Sequence, residues 1–226
     1  MKKTVFFDID DTLLNTSTFA KLARESAIKT MVDNGLPMTF DEAYSLLKEI
    51  INQKGSNYNK HFDVLTKTVL GEENSMLIAL GMVTYHNVKF ALLRPFPKTT
   101  DVLIYLKSKG YKLAVISNGL TIKQWEKLVR LNLHNFFDGV VTSEEVGFEK
   151  PNKYIFDEAL KKMDCEAENS IMVGNRLDTD CIGAINAGMS SILIDPNITP
   201  KEIQKIKDDN LDIKIIKNIS EIEDLL

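Results

Sequence analysis

The residue order predicts an α/β fold: a doubly wound parallel sheet with an inserted all-helical segment. Three observations carry this. Short, nearly continuous apolar runs alternate with helix-spaced segments from Phe96 onward, as in a parallel sheet buried on both faces. A long stretch from about Thr16 to Leu93 has helical spacing and no strand-like run. The apolar runs end in carboxylates, amides, a hydroxyl or a lysine, groups that a strand interior would not tolerate unpaired.

Thr4-Val5-Phe6-Phe7 is β-branched and aromatic, the composition of a buried strand. The helical stretch follows. Within it Thr39 and Glu42 form a capping-box pattern ahead of Phe40, Ala43, Leu46, Leu47, Ile50 and Ile51. Gly55-Ser56-Asn57-Tyr58-Asn59 reads as a polar loop. Arg94-Pro95-Phe96-Pro97 returns the chain to the sheet, so residues 1–15 and 94–226 form the core and 16–93 the insert. Thr100 is placed to cap a helix ending near Gly110. Leu113 to Ser117 is a buried strand, followed from about Thr121 by a helix whose Ile122, Trp125, Leu128 and Val129 form a core-facing stripe with Trp125 as its anchor.

Gly139 to Thr142 is the next strand, and Pro151 suits the first turn of another helix. Ser170 to Gly174 is a strand, Asp180 to Ala187 a helix with Gly188 just past its end, and Ser191 to Ile194 a strand. Ile213 to Ile216 is a short strand, and Ser220 with Glu223 opens a last small helix. The parallel connections should be right-handed crossovers.

Composition narrows the function. The 226 residues carry a net charge of −4, with no basic stretch long enough for a nucleic-acid surface. No apolar run has the length of a membrane span. Met1-Lys2-Lys3 could open a signal peptide, but the apolar run behind it ends at Asp8. A cytoplasmic protein is expected. Cys165 and Cys181 are the only cysteines and read as buried thiols. His61, His86 and His134 lack metal-ligand spacing.

Four strand ends carry chemistry. In open α/β sheets ligands bind at the carboxyl ends of strands. The first end is Asp8-Ile9-Asp10-Asp11-Thr12, with carboxylates two positions apart. The second is Ser117-Asn118-Gly119, where a hydroxyl, backbone N–H groups and a helix start can hold an anion; its bland alternative is a common turn. The third is Glu149-Lys150-Pro151, a lysine that points into a cleft or, as lysines usually do, into solvent. The fourth is Gly174-Asn175-Arg176-Leu177-Asp178-Thr179-Asp180. Asn175, Asp178 and Asp180 offer oxygens to a hard cation, and Asp178 alternatively caps the next helix. Nucleophile, acid, hydroxyl, ammonium and metal oxygens together describe phosphoryl transfer.

With those motifs the chain resembles the haloacid dehalogenase-like hydrolase superfamily. Its Asp-x-Asp-x-Thr matches Asp8 to Thr12, its Ser or Thr at a strand end matches Ser117, its lysine before proline matches Lys150, and its Gly-Asp then four residues then Asp matches Gly174-Asn175 and Asp180. The resemblance covers the whole chain and implies a Rossmann-like core and a helical C1 cap. It implies Asp8 as nucleophile and Asp10 as acid and base. Ser117, the Asn118 backbone and Lys150 would bind phosphate, and Asp8, the Asp10 carbonyl and Asn175 would hold Mg²⁺. Thr12, Asp178 and Asp180 would stand behind them. Asn175 departs from the usual Asp and supplies an uncharged oxygen. The implied substrate is a small phosphorylated metabolite, met in the cap by Asn57, Tyr58, Lys60 and His61. Gly55-Ser56-Asn57-Tyr58, Tyr85-His86-Asn87-Val88, Gly119 to Trp125 and Glu144 to Phe148 also resemble a group of archaeal phosphatases acting on glyceraldehyde 3-phosphate. A phosphomutase with the same nucleophile, or a non-catalytic phospho-accepting or binding protein, is the alternative.

Overall fold

The computed structural model describes residues 3–209 and 211–226. In chain order the elements are β1 (Thr4–Phe7), α1 (Thr16–Asp33), α2 (Phe40–Lys54), α3 (His61–Leu70), α4 (Ser75–Leu92) and α5 (Thr99–Ser108). They continue with β2 (Lys112–Ser117), α6 (Thr121–Arg130), β3 (Gly139–Thr142), α7 (Ser143–Val146), α8 (Lys153–Met163) and β4 (Ser170–Gly174). The last are α9 (Ile182–Asn186), β5 (Ser190–Ile194), α10 (Pro200–Asp208), β6 (Ile213–Ile216) and α11 (Ile222–Leu225). The chain divides into two compact units, Met1–Asn15 with Arg94–Leu226, and Thr16–Leu93.

The first unit is a six-stranded parallel sheet of order β3-β2-β1-β4-β5-β6, flanked by helices. β1 lies between β2 and β4, where the winding of the chain reverses direction across the sheet. That reversal opens a crevice beyond the strand ends. Register fixes what faces it: Phe7 pairs with both Val115 and Val173, so the last residues of β1, β2 and β4 lie close to level. Alternation along the strands puts Phe6, Ala114, Ile116, Val141 and Met172 on one face, against Ile155, Phe156 and Ala159 of α8 and Ala184 of α9. The two connections to the helical unit run side by side, with Phe96 N donating to Leu13 O at 2.8 Å.

The helical unit has its own core of Ala27, Ile28, Met31, Leu47, Ile50, Phe62, Leu65 and Leu77. α4 reaches this core at Gly81, where a Cβ would lie 2.7 Å from Met31 Sδ. The predicted capping box at Thr39 and Glu42 is formed. Asn57 and Lys60 are exposed, the Tyr58 ring stands edge-on to His61 at 5.4 Å, and His61 Nε2 lies 3.0 Å from Gly55 O.

Several predicted boundaries shift. Thr100 lies inside α5, which starts at Thr99 behind Lys98 in the left-handed region. Pro151 does not open α8; the Lys150–Pro151 peptide is cis, and Asn152 caps the helix by accepting from Tyr154 N. The final capping box is Asn218 with Glu221, not Ser220 with Glu223. The segment predicted as helix from Asp180 begins as a π-turn over Leu177–Cys181. The largest correction is on α6: Ile122, Trp125 and Val129 are 78%, 37% and 50% exposed, while Gln124 and Leu128 are buried. The helix turns a partly polar face inward, toward the strand ends.

Candidate active site

β1 delivers Asp8 to the crevice, with its N–H bonded to Val173 O of β4 at 2.9 Å. The chain then turns tightly. Leu13 N donates to Ile9 O at 3.0 Å, and Asp11 takes the left-handed region with φ of 56°, which aspartate tolerates better than most residues. The turn leaves Asp8 and Asp10 at the mouth of the sheet and buries Thr12. Thr12 Oγ1 donates to Asn175 Oδ1 at 3.4 Å, tying the first strand end to the fourth.

Lys150 is buried beneath this turn. Its ammonium reaches Asp8 Oδ1 at 2.7 Å, Asp180 Oδ1 at 2.7 Å and Ile116 O at 2.8 Å. An ammonium has three N–H donors, and here three acceptors take them. Burial alone would push Lys150 down, but the Asp8 and Asp180 carboxylates hold it above the ordinary lysine range. Burial raises the Asp8 carboxyl, Lys150 pulls it back, and Asp180 and Asp10 raise it again, to about 6. Gly174 makes this packing possible, since a Cβ there would collide with the Asp180 carboxylate. Asp180 Oδ2 also accepts from Arg176 N at 3.0 Å.

At the end of β2, Ser117 Oγ is buried and has no hydrogen-bond partner among the described residues. An unpartnered buried hydroxyl is costly unless something else satisfies it. The neighbouring backbone is less available than the motif suggests. Gly119 N donates to Ser143 Oγ at 2.9 Å and Thr121 N to Glu144 Oε2 at 2.8 Å. The Asn118 side chain is committed to the main chain of Lys150. At the fourth strand end, Asp178 neither caps a helix nor joins the cluster: its side chain is 68% exposed and lies 3.5 Å from Arg176 Nη2. The π-turn separates the fates of Asp178 and Asp180, sending one outward and one into the core.

Residues 5–194 match the haloacid dehalogenase-like hydrolase family. The chain belongs to that family. Over its full 226 residues it is 63% identical to a glyceraldehyde 3-phosphate phosphatase of Methanothermobacter thermautotrophicus, covering all of both chains. It is 47% identical to a glyceraldehyde 3-phosphate phosphatase of Methanocaldococcus jannaschii, covering 100% of this chain and 97% of that one. Among solved structures it resembles a phosphatase of this family from Thermococcus onnurineus (TM-score 0.72, 25% identity, 100% and 97% covered). It also shares its fold with a magnesium-bound family hydrolase from Bacillus subtilis (TM-score 0.71, 22% identity, 100% and 98% covered).

In a hydrolase of this family the donor set around Asp8 fits a small hard cation. No group of three or more His, Cys, Asp or Glu that could hold a metal occurs among the described residues. A cation here would therefore rest on the Asp8 carboxylate, the Asn175 amide oxygen, the Asp10 carbonyl and water. Magnesium is commonly bound in that way, by one or two carboxylates with several waters retained. The raised Asp8 carboxyl marks a place where added positive charge is welcome.

Two residues at the site lie outside the four motifs and have no role assigned from the sequence, although Gln124 falls within the Gly119–Trp125 stretch. Lys127 Nζ lies 2.6 Å from both carboxylate oxygens of Asp10, and Gln124 Nε2 donates to Asn118 O at 2.9 Å. Their spacing of three on one helix was the available signal, but a lysine and a glutamine on an amphipathic helix ordinarily mark its solvent face.

Proposed function

We propose that this chain is a Mg²⁺-dependent phosphatase that hydrolyses a small phosphate monoester, glyceraldehyde 3-phosphate being the first candidate. The observation that carries the reading is the buried Asp8 carboxylate held against Lys150, level with a strand end that presents an unpartnered Ser117 hydroxyl. The full-length 63% identity to a phosphatase of that name supports the substrate.

In this reading Asp8 Oδ2 attacks phosphorus, and the bond to the ester oxygen breaks as an aspartyl-phosphate forms. Asp10 gives its proton to the leaving oxygen and then takes one from the water that hydrolyses the intermediate, so the cycle returns both carboxyls to their starting state. Ser117 donates to a phosphoryl oxygen, and Lys150 holds Asp8 in line for attack. Asp180 supports Lys150, and Thr12 orients Asn175. Asp8, the Asp10 carbonyl and Asn175 would hold Mg²⁺, which would supply positive charge to the phosphoryl oxygens. The unit Thr16–Leu93 is the cap of the family, and Asn57, Tyr58, Lys60 and His61 are its candidate substrate contacts. We propose a cytoplasmic location, which the two free cysteines Cys165 and Cys181 support.

A panel of phosphate monoesters with Mg²⁺, run beside Asp8→Asn, tests this. Phosphate is released from glyceraldehyde 3-phosphate, and release stops with EDTA and in the variant. Turnover that survives in Asp8→Asn would sink the nucleophile assignment.

A further inference from the structure

We propose that Lys127 is a positioning residue for this reaction, fixing the Asp10 carboxylate in the orientation from which it passes its proton to the leaving oxygen. The proposal rests on the phosphatase reading above and adds to it a part outside the family's four motifs.

The geometry is specific. Lys127 Nζ is equidistant, at 2.6 Å, from Asp10 Oδ1 and Oδ2. A cation bridging both oxygens resists rotation of the carboxylate about its last bond, which is otherwise a soft torsion. The same Nζ reaches Gln124 Oε1 at 3.0 Å, and Gln124 Nε2 approaches Asp10 Oδ2 at 3.4 Å while donating to Asn118 O at 2.9 Å. Gln124 therefore ties Lys127 and Asp10 to the β2 strand end, beside Ser117. The Lys127 side chain is only 12% exposed, although lysine is a residue that usually keeps its head in water. Burying it there is costly unless the pair is well formed. The inward turn of α6, which leaves Ile122, Trp125 and Val129 outside, is what brings Gln124 and Lys127 to Asp10.

The chemistry follows from where the proton goes. As the ester bond breaks, the proton leaves Asp10 for the departing oxygen, and negative charge forms on both carboxylate oxygens. Lys127 already faces that charge, so nothing has to move at the moment of transfer. When the carboxylate later accepts a proton from the attacking water, the same contacts hold it in place. The Lys127 ammonium is engaged by Asp10 and Gln124, so its removal should fall on proton transfer and not on substrate affinity.

Esters with different leaving groups separate this role from a structural one. Glyceraldehyde 3-phosphate expels a strongly basic alkoxide that needs the proton; p-nitrophenyl phosphate expels a phenolate that does not. Positioned proton transfer contributes roughly 10²- to 10⁴-fold. In Lys127→Met, which keeps the apolar stem, kcat/KM for the alkyl ester falls about 30-fold or more, while that for the aryl ester falls less than about threefold. Lys127→Arg, which keeps the charge, returns the ratio of the two to within about threefold of the unaltered protein. Because each ratio is taken on one sample, partial unfolding cancels. If Lys127→Met does not fold, Lys127→Gln is read the same way. Equal losses on both esters, or no loss on either, overturn the proposal. Failure of the unaltered protein to release phosphate from either ester overturns the phosphatase reading itself.

Discussion

The Asn118 side chain brackets the Lys150 peptide unit from both directions. Its Oδ1 accepts from Lys150 N at 2.8 Å, and its Nδ2 donates to Lys150 O at 3.1 Å. The second and third strand ends are thereby locked together through one amide, just before a cis Lys150–Pro151 peptide. The motif assigns Asn118 a place at the phosphate through its backbone; its side chain serves instead to set where the Lys150 ammonium sits.

Asn118→Asp tests this. It keeps the acceptor, loses the donor to Lys150 O, and adds charge near Asp8. The one lost internal hydrogen bond costs about 1 kcal/mol, or roughly 2–4 °C in melting temperature for a chain of this size. Activity falls further than stability does, by tenfold or more. Calorimetry and phosphate-release rates on the same preparation check both; unchanged activity means the bracket does not govern Lys150.

Asp8 sets a pH dependence of the metal-free protein. Its carboxyl is raised from 3.8 to about 6, so the folded chain holds this proton more tightly than the unfolded one. Its contribution to stability is therefore complete below about pH 4 and is lost as pH rises through about 6. Asp8→Asn, which stays neutral, should melt higher than the unaltered protein at pH 7.5 in EDTA, with the gap closing toward pH 4. A variant that melts lower at pH 7.5 contradicts the electrostatics described for Asp8.

At Asn175 the missing charge should be recoverable. Asn175→Asp places a carboxylate where Thr12 already donates, and a second carboxylate strengthens Mg²⁺ binding. Titration of activity against Mg²⁺ should give a lower half-saturating concentration. An equal or higher value removes Asn175 from the ligand set.

The outward face of α6 should tolerate charge. Ile122→Lys changes a residue that is 78% exposed, and surface substitutions of this kind stay within about 0.5 kcal/mol. A melting temperature within about 2 °C of the unaltered protein is expected; a large drop would return Ile122 to the core.

Which parts of this arrangement were legible in the sequence follows from the physics of each. β2 and β4 stood out because strands buried on both faces are apolar without interruption, and Asp8 and Ser117 stood out because polar groups appear directly where such runs stop; Lys150 lies beyond α7 and stood out by its place before Pro151. Helix starts at Thr100, Pro151 and Ser220 were misplaced by one to three residues: a cap is decided by backbone angles and by which side chain reaches an N–H, as Asn152 does, and several neighbours have suitable chemistry. The face of α6 is rotated for a different reason: Leu128 is buried as expected, but Ile122, Trp125 and Val129 are not. Apolar periodicity assumes that a helix buries its greasiest stripe, whereas this helix buries Gln124 and most of Lys127 against Asp10. Asp178 and Asp180 could not be told apart, because only the π-turn decides which of them points inward.

The threefold anchoring of the Lys150 ammonium has a consequence for how substrates can vary. A cation whose donors are spent on Asp8, Asp180 and the Ile116 carbonyl is a fixed charge, exerting its field at a distance without reaching toward what arrives. It acts only on the phosphoryl end that all such esters share, and so cannot tell one from another. Changing the alcohol portion leaves this kernel indifferent, so selectivity can drift through substitutions elsewhere while the bond-breaking machinery stays unaltered.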